Sequence, residues 1–389
     1  MALLGIEGSL SRTVIARRLS ISPATVTAVT RDLLANGLIH EVAHEASSGG
    51  RPAQRLALMG SAGRAIGVKV SADHVSFVEA RLDGSLASSW REDLDATAVN
   101  GPDVLVDLIR DGVDRHRDGE GRLLGVGVAV PGAVDDQADG TVDAPTLGWQ
   151  RVALGQRLRQ TLGLPVLMEN DVSAVAVAER IYGRGRDHRD FLVVTIGKGI
   201  GAGLVVDGTL YRGAHGGAGE FGHVPVAADG PACRCGNTGC LEALVGEEGL
   251  LSDARAKRLL RRTDGIEALQ AKADAGNGQA RALFDQAGAT LGRALAGLVN
   301  FVDPEAVLVL GEGTTAWQHW RTGFEPALRA HLLASRRGVP VDVEQWDDYS
   351  WALGAAALVL AAPYDAKGRA GRQGALVRAL LRGEEVGLR

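Results

Sequence analysis

Three cysteines and one histidine form the most chemically specific cluster in the sequence. All three cysteines of the 389-residue chain, Cys233, Cys235 and Cys240, lie within eight positions, and His223 precedes the first by ten residues. Three thiolates and an imidazole on short, glycine-rich connections are the ligand set of a closed tetrahedral zinc site. A disulfide would pair close neighbours and leave an odd thiol. We therefore predict a structural Zn²⁺ here, in preference to a disulfide or to ordinary buried cysteines.

The chain length suggests two or three domains, and the composition indicates a soluble α/β protein. Hydrophobic residues make up 46% and charged residues 23% of the chain, and the 53 glycines fall in short clusters typical of loops. The sequence shows neither a signal peptide nor the roughly 20 uninterrupted apolar residues of a membrane span. We expect a cytoplasmic protein with no membrane association.

The charge is distributed unevenly along the chain. The formal net charge is -5, yet residues 1–64 contain seven arginines against four acidic residues. A basic head on an acidic body is typical of a small DNA-facing module joined to a larger domain with another task. We place this module at residues 1–60.

Residues 11–37 have the pattern of a helix-turn-helix. Two amphipathic segments, Thr13–Leu19 and Pro23–Leu34, flank a short turn. Ser22 is the expected N-cap and Pro23 the first helical residue. The 3.6-residue period predicts that the second helix buries Val26, Val29, Leu33 and Leu34. A helix before this unit would be short, unless the start lies upstream of Met1.

The opposite face of the second helix is suited to a DNA major groove, because its side chains are short, polar or methyl-bearing. The predicted DNA-binding residues on this face are Ser22, Ala24, Thr25, Thr27, Ala28 and Arg31. Strands at Leu38–Ile39 and Arg55–Leu58 flank a Ser-Gly-Gly-Arg-Pro tip, which predicts a wing with Arg51 contacting DNA. The alternative is a generic helical hairpin packed on the main domain.

The main body, residues 65–365, alternates strands and helices. A predicted hairpin, Ala65–Val70 and Val75–Ala80, precedes a buried strand at Leu123–Val130. A second set begins with Phe191–Ile196 and includes Ala306–Leu310 before another glycine loop. These two successive sets of strands and helices predict a two-lobed α/β body with a cleft between the lobes. Residues 366–389 are interpreted as a short C-terminal tail helix.

Several motifs together resemble one family. The most specific is Gly219–His223 followed by Cys233–Glu242, with glycine loops at Gly197–Gly203 and Gly311–Gly313. Supporting matches are Pro131-Gly132, Asp143–Pro145 with Trp149, and Glu169–Asp171. Over nearly its whole length the chain resembles ROK proteins, which are repressors and sugar kinases with an actin/hexokinase-like (ribonuclease H-like) fold. Its winged helix-turn-helix resembles the repressor branch.

The resemblance implies a sugar site in the interlobe cleft. The implied sugar-binding residues are Gly132, Asn170, Asp171, Glu220, His223 and Glu242. Carboxylates and an amide suit a hexose, because its hydroxyls both donate and accept hydrogen bonds. Gly132 would permit close backbone approach, and His223 could bind Zn²⁺ through one ring nitrogen and a hydroxyl through the other. Asp171 is also the expected N-cap of the next helix. Thr146 replaces a usual asparagine, which leaves the sugar's identity open.

The first phosphate loop argues against catalysis. Kinases of this fold carry a phosphate loop that resembles Asp-x-Gly-x-Thr directly after the first strand. This chain instead has Lys69, Ser71 and Asp73 at the three fixed positions of that motif. Phosphoryl transfer depends on positioning and charge neutralisation, so these losses are severe. We predict a sugar-responsive repressor without kinase activity, in which Asp171 is a vestigial general base. Its partners would be operator DNA and a sugar effector, bound by a homodimer or dimer of dimers. The alternative is an ATP-dependent sugar kinase.

Overall fold

The computed structural model describes residues 1–42, 54–135, 139–344, 346, 348–365, 368 and 370–384. Arg51 and the predicted wing tip lie outside the described residues. The chain forms two compact units, which we call the first and the second unit. The first unit comprises Met1–Asp187, Gly213–Gly217 and Asp348–Arg389, and the second comprises His188–Arg212 and Ala218–Asp347. The domain limits at residues 60 and 365 stay predictions.

The first unit begins with a helix-turn-helix and a small antiparallel sheet. Its elements are α1 (Ala2–Glu7), β1 (Leu10–Ser11), α2 (Arg12–Leu19), α3 (Pro23–Ala35), β2 (Ile39–Val42) and β3 (Arg55–Leu58). The sheet has the order β1-β3-β2. The Ser22 hydroxyl accepts a hydrogen bond from the Thr25 amide at 3.1 Å, so Ser22 is the N-cap, as predicted. The short helix α1 precedes the helix-turn-helix.

The buried face of α3 differs from the prediction at one position. Val26 is buried and Leu33 and Leu34 are half-buried, but Val29 is 49% exposed. Thr30 is buried in its place, and its hydroxyl accepts a hydrogen bond from Arg12 Nε at 3.2 Å. The prediction for Val29 was wrong because a hydrogen-bonded threonine, rather than the valine, completes the helix's packed face. Val29 therefore belongs to the exposed face of α3.

The rest of the first unit is built on a five-stranded sheet. Its next elements are β4 (Gly63–Val70), β5 (His74–Arg81), β6 (Leu86–Asp93), α4 (Gly101–Arg115), β7 (Arg122–Val130), β8 (Ala133–Val134), β9 (Val142–Ala144), β10 (Trp149–Val152), α5 (Leu154–Leu162), β11 (Val166–Asn170) and α6 (Asp171–Ile181). The sheet order is β11-β7-β4-β5-β6, and β8–β10 form a small separate sheet. Strands β7 and β11 run parallel, whereas β4, β5 and β6 pair antiparallel.

The second unit repeats this plan with its own sheet. Its elements are β12 (Phe191–Ile196), β13 (Ile200–Val206), β14 (Thr209–Leu210), α7 (Leu241–Val245), α8 (Glu247–Ala256), α9 (Ile266–Asp274), α10 (Gly278–Val302), β15 (Ala306–Leu310), α11 (Trp317–His331) and β16 (Val341–Val343). The sheet order is β14-β13-β12-β15-β16. Helices α10 and α11 approach closely, since a Cβ on Gly323 would lie 1.9 Å from the Asp285 carbonyl oxygen.

The chain then returns to the first unit as α12 (Asp348–Ala361) and α13 (Gly371–Arg382). Helix α12 crosses β4 and β7 at two glycines. A Cβ on Gly67 would lie 2.0 Å from the Ala352 carbonyl oxygen, and one on Gly127 would lie 1.8 Å from that of Ala355. Only glycine allows this approach. Each unit thus combines a hairpin-containing mixed sheet with packed helices, and the fold is the actin/hexokinase-like α/β fold predicted above. Among the described residues, no helix is long and apolar enough to cross a membrane.

Candidate functional site

The four predicted metal ligands converge in the second unit. His223 Nδ1 lies 3.5 Å from Cys233 Sγ, and Cys235 Sγ lies 3.7 Å from Cys240 Sγ. The four ligand atoms all lie within 4.8 Å of one another. Tetrahedral zinc, with Zn–S bonds of about 2.3 Å and a Zn–N bond of about 2.0 Å, separates sulfurs by about 3.8 Å and sulfur from nitrogen by about 3.5 Å. The two short separations fit this geometry, so the cluster can hold a metal ion.

Tight turns bring these ligands together. Gly236 and Gly239 have φ angles of 93° and 69°, in the left-handed region that favours glycine. A Cβ on Gly239 would lie 1.7 Å from the Ala227 carbonyl oxygen, whereas one on Gly236 would meet no atom within 4 Å. An isolated β-bridge joins Pro225 to Cys240 and closes the loop. The loop geometry therefore depends on glycine chiefly at residue 239.

The three cysteines are free thiols in different environments. Burial raises the pKa of the Cys240 thiol. A hydrogen bond from the Asn237 backbone lowers the pKa of the exposed Cys235 thiol. A bound cation favours the thiolate form of its ligands, so metal binding would release protons from the cluster.

Three predicted sugar-binding residues lie in or next to the cluster of three cysteines and His223. The other ring nitrogen of His223, Nε2, is 3.6 Å from Glu220 Oε2. Glu242 lies on α7, which starts directly after Cys240, and its Oε2 accepts a hydrogen bond from the Ile200 amide at 3.1 Å. A Cβ on Gly222 would lie 3.3 Å from that of Glu242. The cluster and its flanking residues thus hold an imidazole and two carboxylates in one small region.

The other predicted sugar-binding residues lie together in the first unit. Asn170 Nδ2 donates to the Gly132 carbonyl oxygen at 3.2 Å, and Asn170 Oδ1 accepts from the Ser173 amide at 3.1 Å. Asn170 is therefore the N-cap of α6, and the expectation that Asp171 caps this helix was wrong by one residue. A Cβ on Gly132 would lie 2.3 Å from the Asp143 carbonyl oxygen, so this glycine admits a neighbouring strand of its own unit.

An ion pair joins Asp171 to the altered phosphate loop. Lys69 Nζ binds Asp171 Oδ2, and these side chains are only 11% and 14% exposed. The same ammonium lies 5.0 Å from the centroid of the Trp351 ring, a cation–π distance. Asp171 Oδ1 also accepts a hydrogen bond from the Val172 amide at 2.9 Å. The sequence singled out Lys69 and Asp171 separately, but their pairing and the role of Trp351 were missed.

The remaining loop residues form a tight turn. The Ser71 amide donates to the His74 carbonyl oxygen at 2.9 Å. Asp73 Oδ1 lies 2.8 Å from His74 Nδ1. Both residues therefore have partners within their own hairpin.

Carboxylates surround the glycine loop of the second unit. A Cβ on Gly197 would lie 2.2 Å from Glu312 Oε2, so this side chain packs against the loop. Burial raises the pKa of Glu247, and the charges of Glu267 and Glu312 raise it further while Lys198 opposes them. The loop environment thus contains several negative groups beside one lysine.

The predicted DNA-facing side chains on α3 are all exposed. They are Ser22, Ala24, Thr25, Thr27, Ala28 and Arg31. Arg31 Nε lies 3.8 Å from Asp32 Oδ1, a weak surface contact. Val29 joins them on the exposed side of the helix.

The fold and these motifs define the chain as a member of the ROK family, whose family model matches residues 65–362. Among its relatives is the xylose repressor of Bacillus spizizenii, 30% identical over 301 residues, which are 77% of each chain. The DNA-binding transcriptional dual regulator NagC of Escherichia coli is 28% identical over 90% of this chain and 89% of its own.

Two solved structures extend the comparison. A ROK family transcriptional regulator, a homologue of the E. coli MLC protein, superposes with a TM-score of 0.78 and 26% identity. The match covers 96% of this chain and 95% of that one. A ROK family glucokinase from Streptomyces griseus, in complex with glucose and AMPPNP, has a TM-score of 0.66 and 29% identity. This match covers 76% of this chain and 99% of the glucokinase chain.

Proposed function

We propose that the protein is a sugar-responsive, DNA-binding transcriptional repressor. The observation that carries this proposal is that the glucokinase matches only part of the chain, whereas the regulator matches nearly all of it. The glucokinase matches over 99% of its own length yet spans 76% of this chain, whereas the regulator spans 96%. The family model begins at residue 65, after the helix-turn-helix and its small sheet. A DNA-binding module on a ROK body is suited to control transcription.

We propose that α3 lies in a major groove and presents its exposed small side chains to base edges. Arg51, outside the described residues, is proposed to contact the minor groove or a phosphate. A homodimer, or a dimer of dimers, would place two such helices on a palindromic operator with half-sites a whole number of helical turns apart.

In the first unit, we propose that Asn170 and Asp171 hydrogen-bond sugar hydroxyls, with Gly132 supporting Asn170 through its carbonyl oxygen. In the second unit, Glu220, His223 and Glu242 are proposed to do the same. A carboxylate accepts several hydrogen bonds, so Glu242 can bind a hydroxyl while it holds the Ile200 amide.

We propose zinc as the metal of the cysteine cluster, because three thiolates and an imidazole suit its soft, tetrahedral coordination. His223 would bind through Nδ1, which faces Cys233, and present Nε2 towards Glu220. The ion would be structural and would fix the orientation of this ring.

The protein is proposed to have no kinase activity. Lys69 stands where a magnesium-organising carboxylate is needed, and its ammonium pairs with the carboxylate that would act as general base. The carboxylates of Glu247, Glu267 and Glu312 near the second glycine loop would repel a polyphosphate. The retained Asp171 is the observation that favours the alternative, an ATP-dependent sugar kinase.

Selection from a pool of random duplexes, followed by sequencing, tests the DNA-binding part. We expect a palindromic site to be enriched, and a pool that stays random would overturn the proposal. The selected duplex is then titrated with protein in the presence of xylose, N-acetylglucosamine, glucose or the 6-phosphates of the last two. At least one compound should weaken binding.

The variant Glu242→Ala should bind the selected duplex normally and lose this response. The same sugars incubated with ATP decide between the two functions. Formation of a sugar phosphate above the rate without protein would favour the kinase.

A further inference from the structure

One helix of the first unit joins the proposed effector residues to the DNA-binding module. Helix α6 begins with Asn170 as its N-cap and Asp171 as its first residue. Its 11 residues, Asp171–Ile181, span about 16 Å at 1.5 Å per residue. Most of its side chains are buried, and a Cβ on Gly354 of α12 would lie 3.0 Å from the Val175 backbone nitrogen. The helix is therefore held along its length.

The turn after α6 is fixed to the helix. Glu179 is buried, and its Oε2 accepts a hydrogen bond from the Arg184 amide at 3.0 Å. A Cβ on Gly183 would lie 2.0 Å from the same oxygen, so the turn passes directly over this carboxylate. The Tyr182 hydroxyl donates to the Leu82 carbonyl oxygen at 3.1 Å. A displacement of α6 would consequently carry the segment that contains Arg186.

Arg186 reaches from this segment to the first helix of the chain. Its Nε donates a hydrogen bond to the Ile6 carbonyl oxygen, in the last turn of α1. The carbonyl groups of a helix's last turn have no hydrogen-bond donor within the helix. An arginine supplies a donor to one of them, and its positive charge complements the negative end of the helix dipole. Leu4 of α1 belongs to the same buried apolar cluster as Ala174 and Ala178 of α6. Helix α1 is thus anchored beside the far end of α6.

Helix α1 is in turn connected to the DNA-binding elements. Only Gly8 and Ser9 separate it from β1, which pairs with β3 of the small sheet. The guanidinium of Arg55, the first residue of β3, also donates to the Ser9 carbonyl oxygen. A shift of α1 would therefore move the sheet that supports α2 and α3.

We propose that Arg186 is a positioning residue that couples effector binding at the start of α6 to the placement of the DNA-binding module at its end. This inference rests on the proposed function. An effector changes operator affinity only if it interacts differently with the two arrangements of the protein. Contact with Asn170 and Asp171 acts on the first turn of α6, and the buried helix transmits the displacement to Arg186 and α1.

The variant Arg186→Met tests the proposal with the duplex selected above. It retains the length of the side chain and removes the donor to Ile6. We expect its sugar affinity, measured by calorimetry on the free protein, to stay within about twofold. The factor by which sugar weakens operator binding, typically 5- to 150-fold for coupled sites, should fall at least about fivefold.

Two further variants separate coupling from general damage. Arg186→Lys keeps a donor and should restore most of the factor. Arg110→Met removes a half-exposed arginine of the same unit, which pairs with its helix neighbours Asp107 and Asp111, and should leave the factor unchanged. An unchanged sugar effect in a folded Arg186→Met protein would overturn the proposal.

Amide hydrogen exchange gives a readout that needs no sugar. Asp171→Asn disturbs the start of α6, so exchange of the α1 amides should change by at least about threefold. The double variant with Arg186→Met should show no further change relative to Arg186→Met alone. Unaltered α1 exchange in Asp171→Asn would overturn the coupling. Absence of any sugar response in the wild type would instead count against the proposed function.

Discussion

The two groups of proposed effector residues are held in place by different means. In the first unit, Asn170 and Asp171 lie where a parallel strand meets a helix, and a buried ion pair with Lys69 fixes the carboxylate. In the second unit, Glu220 precedes a single 3-10 turn that ends at His223, and His223 is itself one of the four potential metal ligands. The first group relies on the sheet and its packed helices, whereas the second relies on turns and on the proposed metal ion. The two groups should therefore fail under different perturbations.

Cys240→Ser gives the largest expected effect, and it should affect the second group alone. Removal of the buried thiol takes away one of the four proposed ligands, so metal affinity should fall by at least about 100-fold. The metal content of the purified protein, measured by atomic emission, should drop towards zero and the sugar response should disappear. Operator binding without sugar should persist. A variant that retains a full equivalent of metal would contradict the assignment of the ligands.

Lys69→Met breaks the support of the first group. It leaves Asp171 as a largely buried charge without its partner, which should cost about 3 kcal/mol of unfolding free energy. Urea denaturation followed by tryptophan fluorescence measures this loss. Metal content should not change.

The double variant Lys69→Met/Asp171→Asn removes both charges and should recover most of this stability. If the single and double variants are equally unstable, the ion pair does not hold Asp171 in the way we describe.

Two glycines of the cysteine loop form a matched pair. Gly239→Ala should reduce metal affinity by at least about tenfold, because its Cβ would collide with the Ala227 carbonyl oxygen. Gly236→Ala meets no atom within 4 Å and carries only the cost of a left-handed conformation, about 1–2 kcal/mol. Competition with a chromogenic chelator measures both affinities. Equal losses in the two variants would mean that the close approach at residue 239 is unimportant.

Asn170→Ala should give the smallest change in stability. Loss of the N-cap acceptor for the Ser173 amide should cost about 1 kcal/mol. Asn170→Asp keeps this acceptor and should restore much of the stability, as measured by thermal unfolding. Sugar affinity should fall in both variants, because the Nδ2 donor is lost; normal sugar affinity in either would remove Asn170 from the proposed site.

The same contrast explains how much of the site could be predicted from the sequence. The cysteine cluster was predictable because its ligands are close in sequence, and short glycine-rich connections limit how far apart they can lie. The strands β4, β5, β7, β12 and β15 were predictable from their runs of apolar residues. Lys69 and Asp171 are 102 residues apart in the sequence. Their pairing depends on the order of the strands in the sheet and on the packing of α12, and no local sequence pattern predicts either of these. Val29 was misassigned because an apolar side chain at the edge of a helical face can point either way.

Helix α12 has a consequence for the synthesis of the protein. The strands that it covers, β4 and β7, leave the ribosome before the whole second unit, and α12 follows only at Asp348–Ala361. Ala352, Ala355 and Ala356 of α12 are fully buried, so their partner surfaces stay uncovered until that segment emerges. At 5–20 residues per second, the roughly 220 residues between β7 and α12 take about 10–40 s to translate. During this interval the DNA-binding module of the nascent chain is attached to a first unit that still lacks α12.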